Sequence, residues 1–372
     1  MKYYIIAGEA SGDLHGSNLI LELVKTDSNA NIRCWGGNKM ELAGAVLVKH
    51  YRDLAFMGFT EVIKNLPTIF KNIAFCKKDI LAYKPDVLIL IDYPGFNLRI
   101  AKWAKQQKIK VVYYISPQIW AWKENRVHAI KRDVDKMLVI LPFEKDFYKK
   151  WKYDVTYVGH PLVEVIEEYL LEYNEQPILS THQNAGTIAL LPGSRQQEIL
   201  KKLPIMLEVA ASFPNYRFIV AKAPGIENAF YDELLKNYDN VHTVSGKTYM
   251  LLAEAKAALV TSGTATLETA LFAVPEVICY RGSTISYQIA KRLVKIKYIG
   301  LVNLIMDKQV VTELIQDKLN VENLKIELNS ILHDGLRKSA MQKDYADLKN
   351  LLSAGGHASS NAARQIQSFL KN

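Results

Sequence analysis

A chain of 372 residues is too long for one ordinary hydrophobic core and suits two domains. Hydrophobic residues make up 49% and charged residues 23%, which excludes a disordered or fibrous chain, and the three cysteines (Cys34, Cys76, Cys279) form no CxxC pair, which argues against a zinc site or disulfide framework. The formal charge of +9 points to anionic partners: nucleic acid, phosphorylated substrates or an acidic membrane face.

Along the chain, short β-branched runs alternate with amphipathic stretches. The N-terminal MKYYIIAGEASGD turns polar after five or six apolar positions, too few for a signal-peptide core, so a cytoplasmic location is expected. Strands are expected near 3–7, 32–35, 87–91, 111–115, 137–141 and 155–158. A second series is expected near 187–191, 217–221, 241–244, 257–260 and 276–280. Helix-length spacers between strands imply parallel sheets, and the continuous apolar runs VLILI and TIALL fit strands covered on both faces. No apolar run approaches the ~20 residues of a membrane span. The polar segment 167–186 breaks the rhythm and sets the expected boundary: a first domain over 1–166 and a second over 167–344. The helical tail 345–372 is expected to pack on the first domain. The fold class is therefore α/β, two Rossmann-like doubly wound domains with a cleft between their strand ends.

Three loops follow expected strands and precede expected helices. The first, AGEASGDLHG (7–16), is not a dinucleotide fingerprint, because Glu9 and Asp13 place carboxylates where a pyrophosphate would approach. It suits hydroxyl-bearing sugars, or equally a glycine turn in which Asp13 caps a helix. The second, LPGSRQQE (191–198), has the form of a capping box, Ser194 with Gln197, and predicts a helix from Arg195. A free helix N-terminus with an arginine suits a diphosphate, though an exposed arginine on a capped helix fits the pattern as well. The third, VTSGTATLE (260–268), offers small hydroxyls, with Glu268 one turn into an apolar helix. Vicinal ribose hydroxyls or an internal salt bridge would each partner that carboxylate.

Beyond these loops, DLAFMGFTEV (53–62), KPDVLILIDYPGFN (84–97), YYISPQIWAWKENRV (113–127), LPFEKDFY (141–148) and VGHPL (158–162) join AGEASGDLHG in family order. LPGSRQQEI (191–199), TSGTATLE (261–268), YR (280–281) and IAKRLVKIKYIGLVNL (289–304) continue it. Together they span nearly the whole chain, which resembles the lipid-A-disaccharide synthases, inverting GT-B glycosyltransferases of lipid A and lipopolysaccharide biosynthesis in Gram-negative bacteria. The resemblance implies condensation of UDP-2,3-diacylglucosamine with 2,3-diacylglucosamine 1-phosphate to a β-1′,6-linked disaccharide 1-phosphate and UDP. It implies no cofactor and no metal, and no Asp-x-Asp string ends a strand in a nucleotide site.

Inverting transfer needs a base for the acceptor 6-hydroxyl and positive groups for the departing UDP. The resemblance marks Asp92, at the end of the apolar strand 87–91, as the base; the pattern alone also fits a strand-end cap. Pro94 and Gly95 read as the turn that follows. Many relatives carry Asp where Gly95 stands, so a second carboxylate in that loop has no residue here. Arg195 is assigned to the diphosphate, supported by Gly193, Ser194, Ser262, Gly263 and Thr264, with Glu268 on the ribose and Arg281 and Asn303 on the donor side. Glu9, Ser11, Asp13, Ser116, Gln118, Trp122 and Arg126 are assigned to the acceptor, with Asn97 orienting either Asp92 or the sugar.

Acylated substrates imply contact with the anionic inner-membrane surface. Residues 62–78 read as a basic amphipathic helix, with Val62, Leu66, Ile69, Phe70 and Ile73 on one face and Lys64, Lys71 and Lys78 opposite. Its apolar face equally suits the core of a Rossmann helix. The segment 99–136, with ten Lys or Arg against three acidic residues, adds positive charge, as does 281–297. The alternative is another GT-B enzyme acting on UDP-N-acetylglucosamine, a lipid-linked transferase or a 2-epimerase. A non-catalytic binding protein for UDP-sugars is disfavoured by Asp92, Arg195 and Glu268 together, and no recognition module supports nucleic acid as partner. A homo-oligomer is compatible with the sequence.

Overall fold

Val, Leu and Ile runs pair into two parallel sheets in the computed structural model, which describes residues 1–54, 66–173, 186–283, 287 and 297–371. The chain divides into two compact units, Met1–Pro161 with Leu352–Asn372, and Leu162–Leu351. In the first, the described strands are β1 (Lys2–Ala7), β2 (Asn31–Gly36), β3 (Val46–His50), β4 (Val87–Ile91), β5 (Lys110–Tyr114), β6 (Lys136–Val139) and β7 (Thr156–Tyr157). They lie in the order β3-β2-β1-β4-β5-β6-β7, every pair parallel. In the second, β8 (Thr187–Leu191), β9 (Arg217–Lys222), β10 (Val241–Ser245), β11 (Ala255–Thr261), β12 (Glu276–Tyr280) and β13 (Thr312–Ile315) lie in the parallel order β10-β9-β8-β11-β12-β13.

Both orders reverse direction after the first strand of their unit, between β1 and β4 and between β8 and β11. This is the doubly wound Rossmann arrangement, in which ligands gather beyond the carboxyl ends of the two strands that flank the reversal. Alternate residues of the first sheet feed opposite layers. Tyr4, Ile6, Leu88, Leu90 and Tyr113 face the helices Leu66–Tyr83 and Pro94–Gln106, while Tyr3, Ile5, Ile89 and Val112 face the helices Ala10–Thr26 and Ala358–Lys371. Each such fully buried Leu or Ile contributes about 1.5–3 kcal/mol.

Two edge strands, β3 and β13, were not expected from sequence. The tail read as one helix from 345 is two, Leu336–Ser353 and Ala358–Lys371. The second is held in the first unit by Ala362, Ala363 and Ile366 and by Asn361 Nδ2, which donates to Val158 O at 3.0 Å. Most of the polar boundary segment, 174–185, lies outside the described residues.

Candidate active site

At the reversal point of the first sheet, β4 ends and the chain enters Asp92 and Tyr93, both left-handed (φ 44° and 48°). Two consecutive non-glycine residues in this region cost about 1–3 kcal/mol each, so the surroundings must enforce them. Three bonds do so. Asp92 N donates to Tyr114 O at 3.2 Å, Asn97 Nδ2 donates to Asp92 O at 2.8 Å, and Tyr113 Oη donates to the same carbonyl. The expected turn at Pro94–Gly95 is instead the first turn of the helix Pro94–Gln106, with proline at its start. Burial pushes the Asp92 carboxyl up to about 6, helped by the negative Glu9 and opposed by the Tyr93 N–H. A carboxylate at that value is poised to accept a proton near neutrality.

Of the residues assigned to the acceptor, Glu9 and Ser11 are exposed at the end of β1, on the strand beside β4. Asp13 is 4% exposed and turned inward: its carboxylate accepts the N–H groups of Gly37 (2.7 Å), Met40 (3.1 Å) and Lys39 (3.3 Å). It caps the helix Asn38–Leu42 and leaves the acceptor list. Asn97 is fully buried, and its amide nitrogen donates to the backbone carbonyls of Ile6, Ile91 and Asp92, which supports the backbone that carries the Asp92 carboxylate. On the next strand over, Ser116 is buried, with its Oγ 2.7 Å from Tyr148 Oη. Gln118 is exposed, and Trp122 is 53% exposed, with Lys123 Nζ 4.1 Å and Arg126 Cζ 5.8 Å from its ring centre. Beneath this loop lies Glu144, a residue the sequence did not single out. Its burial pushes the carboxyl up to about 8, against the Leu141 N–H that it accepts at 3.0 Å.

At the reversal point of the second sheet, a cavity of about 410 Å³ is lined by Gly193, Ser194, Arg195, Glu198, Thr248, Thr261, Ser262, Gly263, Thr264 and Glu268, among others. The loops after β8 and β11 thus meet, bringing together residues assigned to the donor from two separate strings. Two helices open toward it, Gln196–Ala210 and Thr264–Leu271, neither with a side-chain N-cap. The expected capping box does not form: Arg195, not Ser194, is the N-cap, and the first N–H groups are left for a ligand. Gly193 (φ 125°) and Gly263 (φ 142°) occupy backbone that a side chain would strain. Arg195 is exposed and loosely paired with Glu198 (3.4 Å). Glu268 accepts the Tyr249 hydroxyl at 3.0 Å; burial raises its carboxyl, and Tyr249 holds it down.

Two donor assignments fall outside this cavity. Arg281 is exposed at the end of β12. Asn303 is fully buried, its Oδ1 accepting Val310 and Val311 N–H and its Nδ2 donating to Val311 O and Glu313, so it ties a turn together. Its amide is spent within the protein. Sequence reasoning missed Tyr249 and Lys202; only Lys202 left a signal, two helical turns after Arg195. Among the described residues, no group of His, Cys, Asp and Glu is arranged to hold a metal ion.

A model of the family described as Lipid-A-disaccharide synthetase matches residues 3–368. The lipid-A-disaccharide synthase of Syntrophus aciditrophicus is 39% identical over 95% of this chain and 94% of its own. That of Myxococcus xanthus is 35% identical over 99% and 97%. Among solved structures, the UDP-GlcNAc 2-epimerase of Neisseria meningitidis bound to UDP-GlcNAc superposes with TM-score 0.69 at 15% identity, covering 100% of both chains. The glycotransferase of kitacinnamycin superposes with TM-score 0.69 at 13% identity, covering 99% of both. At such identities these structures share the fold, which is GT-B.

Proposed function

The chain belongs to the lipid-A-disaccharide synthase family, and from that premise we propose how its residues make the glycosidic bond. The enzyme is a glycosyltransferase that condenses UDP-2,3-diacylglucosamine with 2,3-diacylglucosamine 1-phosphate, giving the lipid A disaccharide 1-phosphate and UDP. The epimerase alternative is not favoured, since its representatives share only the fold.

The observation that carries the residue assignment is the cavity at the β8/β11 reversal, where two uncapped helix N-termini and Arg195 face one space with Glu268. The diphosphate lies on the N–H groups and Arg195, and the ribose hydroxyls donate to the Glu268 carboxylate. On the acceptor, Asp92 takes the proton of the 6-hydroxyl as that oxygen attacks the anomeric carbon. The bond to the β-phosphate oxygen breaks, its electron pair stays with UDP, and the configuration inverts. Glu9, Ser11, Gln118, Trp122 and Arg126 hold the acceptor, Arg126 supplying the cation for its phosphate.

Substrates with acyl chains call for a membrane-facing surface, and the first unit offers one. Among the described residues no helix is long and apolar enough to cross a membrane. The helix Leu66–Tyr83 buries Ile73 and packs Ile69 on the core, as the Rossmann reading required, yet leaves Phe70 60% and Phe75 47% exposed beside exposed Lys71 and Lys78. These side chains, with Trp122 and Lys123, dock peripherally on an anionic leaflet. Val62 and Lys64 lie outside the described residues, as does most of the basic run 281–297.

The test is disaccharide formation by purified protein from the two acylated substrates, beside Asp92→Asn and Arg195→Ala. Both variants are expected to lose at least a hundredfold in kcat/KM, the usual scale for a general base or a charge-stabilising donor. Wild-type rates in folded Asp92→Asn would remove it as the base.

A further inference from the structure

Among the described residues of the second unit Lys202 is the buried cation, and neither the sequence patterns nor the mechanism above uses it. It sits in the middle of the helix Gln196–Ala210, 3% exposed, and its ammonium reaches Thr261 Oγ1 at the end of β11. A methyl group placed on Gly193 would come within 3.4 Å of that ammonium. The nitrogen therefore lies directly behind the Gly193 turn, and Gly193 and Thr261 both line the cavity. Among the described residues no carboxylate stands within 4.0 Å of it. The nearest candidate, Glu198, leans its Oε1 to Arg195 at 3.4 Å and keeps its Oε2 beside Gly193, where its charge acts on the ammonium without an ion pair.

An ammonium removed from water without a counter-ion is expensive, and helix interiors rarely keep one. Here burial lowers its proton affinity, partly countered by the Glu198 charge. Replacing it by an apolar residue of the same length would remove that cost, and Glu198, which forms no ion pair with it, compensates only part of the charge. A methyl group on Gly193 would also meet Glu198 Oε2 at 2.8 Å, so a ligand that reaches the ammonium past Gly193 shares that space with the Glu198 carboxylate. Arg195, by contrast, is solvated and loosely held, so water and salt screen it.

We propose that Lys202, set behind the Gly193 turn that lines the cavity, is the fixed cation that recognises the diphosphate of the nucleotide donor, with Arg195 as the outer, adjustable one. This rests on the cavity being the donor site. A compact ammonium suits a phosphate oxygen as a point charge, while the guanidinium suits a bidentate grip. Held by Thr261 in a poorly solvated position, Lys202 needs no reorganisation as charge grows on the departing UDP.

Calorimetry with UDP and with uridine, on wild type and on Lys202→Met, separates the possibilities. Wild type is expected to bind UDP more tightly than uridine. Lys202→Met is expected to lose at least tenfold in UDP affinity, with uridine unchanged and the melting temperature of the unliganded protein equal or higher. Lys202→Arg should keep part of the UDP preference. If Lys202→Met does not fold, Lys202→Gln, which keeps a donor for Thr261, carries the same expectation. UDP affinity within twofold of wild type in a folded variant overturns the proposal. So does equal loss for uridine, or a lower melting temperature with the preference for UDP intact, either of which makes the lysine a strut. Wild type that binds neither compound brings down the donor-site reading itself, a result distinct from any variant's failure.

Discussion

Asp92 shows at the scale of one residue what the backbone is doing for the chemistry. Its left-handed conformation is held by two buried side chains, Asn97 and Tyr113, which both donate to the Asp92 carbonyl. The carboxyl moves from 3.8 to about 6, burial first and Glu9 second. The base acts ionised, so kcat/KM should fall tenfold per pH unit below about 6 and level off above it. Removing the Glu9 charge by Glu9→Gln lowers the Asp92 value, so that limb should move to lower pH; an unmoved limb assigns the pKa to another group. The sign for stability is opposite to that for activity. A carboxyl with a raised folded-state value favours its protonated form in the fold, so Asp92 withdraws stability as pH rises from about 4 to about 6. Asp92→Asn should therefore melt above wild type at pH 7.5 and lose that advantage near pH 4, and a lower melting point at pH 7.5 would contradict the assignment. Which polar residues face a ligand was less legible. Asp13, Asn97 and Asn303 sit in the right strings, but each is turned inward, because a short motif records that an amide or carboxylate is needed and not which way it points. Lys202 and Tyr249 escaped for the converse reason: their partners, Thr261 and Glu268, are distant in sequence and meet them only through sheet order.

Elements place these side chains by strand order more than by motif. The central strands were legible because burial on both faces demands runs such as VLILI and TIALL, with period and length that suit nothing else. The two missed strands are edges, VLVKH and TELI, where one neighbour is absent and polar residues are tolerated, so no continuous apolar run marks them. The loops between β8 or β11 and their helices convert sheet order into a binding surface, and Gly263 is where this can be probed. It is the N-cap of the helix Thr264–Leu271 at φ 142°, with open space where a Cβ would go. Gly263→Ala therefore acts through backbone strain alone, about 1–3 kcal/mol. If the helix N-terminus binds the diphosphate, the variant should melt a few degrees lower and bind UDP at least several-fold more weakly by calorimetry. Full UDP affinity with the strain present would detach this helix from the site.

For the molecule as a whole, the +9 charge needs a destination, and the transferase reaction needs its lipids delivered. The proposed donor site uses two cations of the second unit, Arg195 and Lys202, which leaves most of the excess without a substrate to pair with. In the first unit, aromatic and basic side chains share exposed ground at Phe70, Lys71, Phe75 and Lys78, and half-buried Lys123 lies over the ring of exposed Trp122. Lysines near an anionic leaflet contribute roughly 1 kcal/mol each, and burying a phenylalanine in the interface adds an apolar component that salt does not screen. The two contributions can be separated by co-sedimentation with vesicles containing about a third phosphatidylglycerol. Lys71→Glu with Lys78→Glu should lower binding at least tenfold in dilute buffer, and wild type should approach that level as salt shortens the screening length from about 30 Å at 0.01 M to about 8 Å at 0.15 M. Phe70→Ala should weaken binding to neutral and anionic vesicles alike and leave the salt dependence unchanged. Both variants should turn over short-chain, detergent-dispersed substrates at the wild-type rate, because none of the three residues belongs to the reaction site. Binding that ignores both the charge reversals and the Phe70 substitution would move the membrane contact to a different face of the protein.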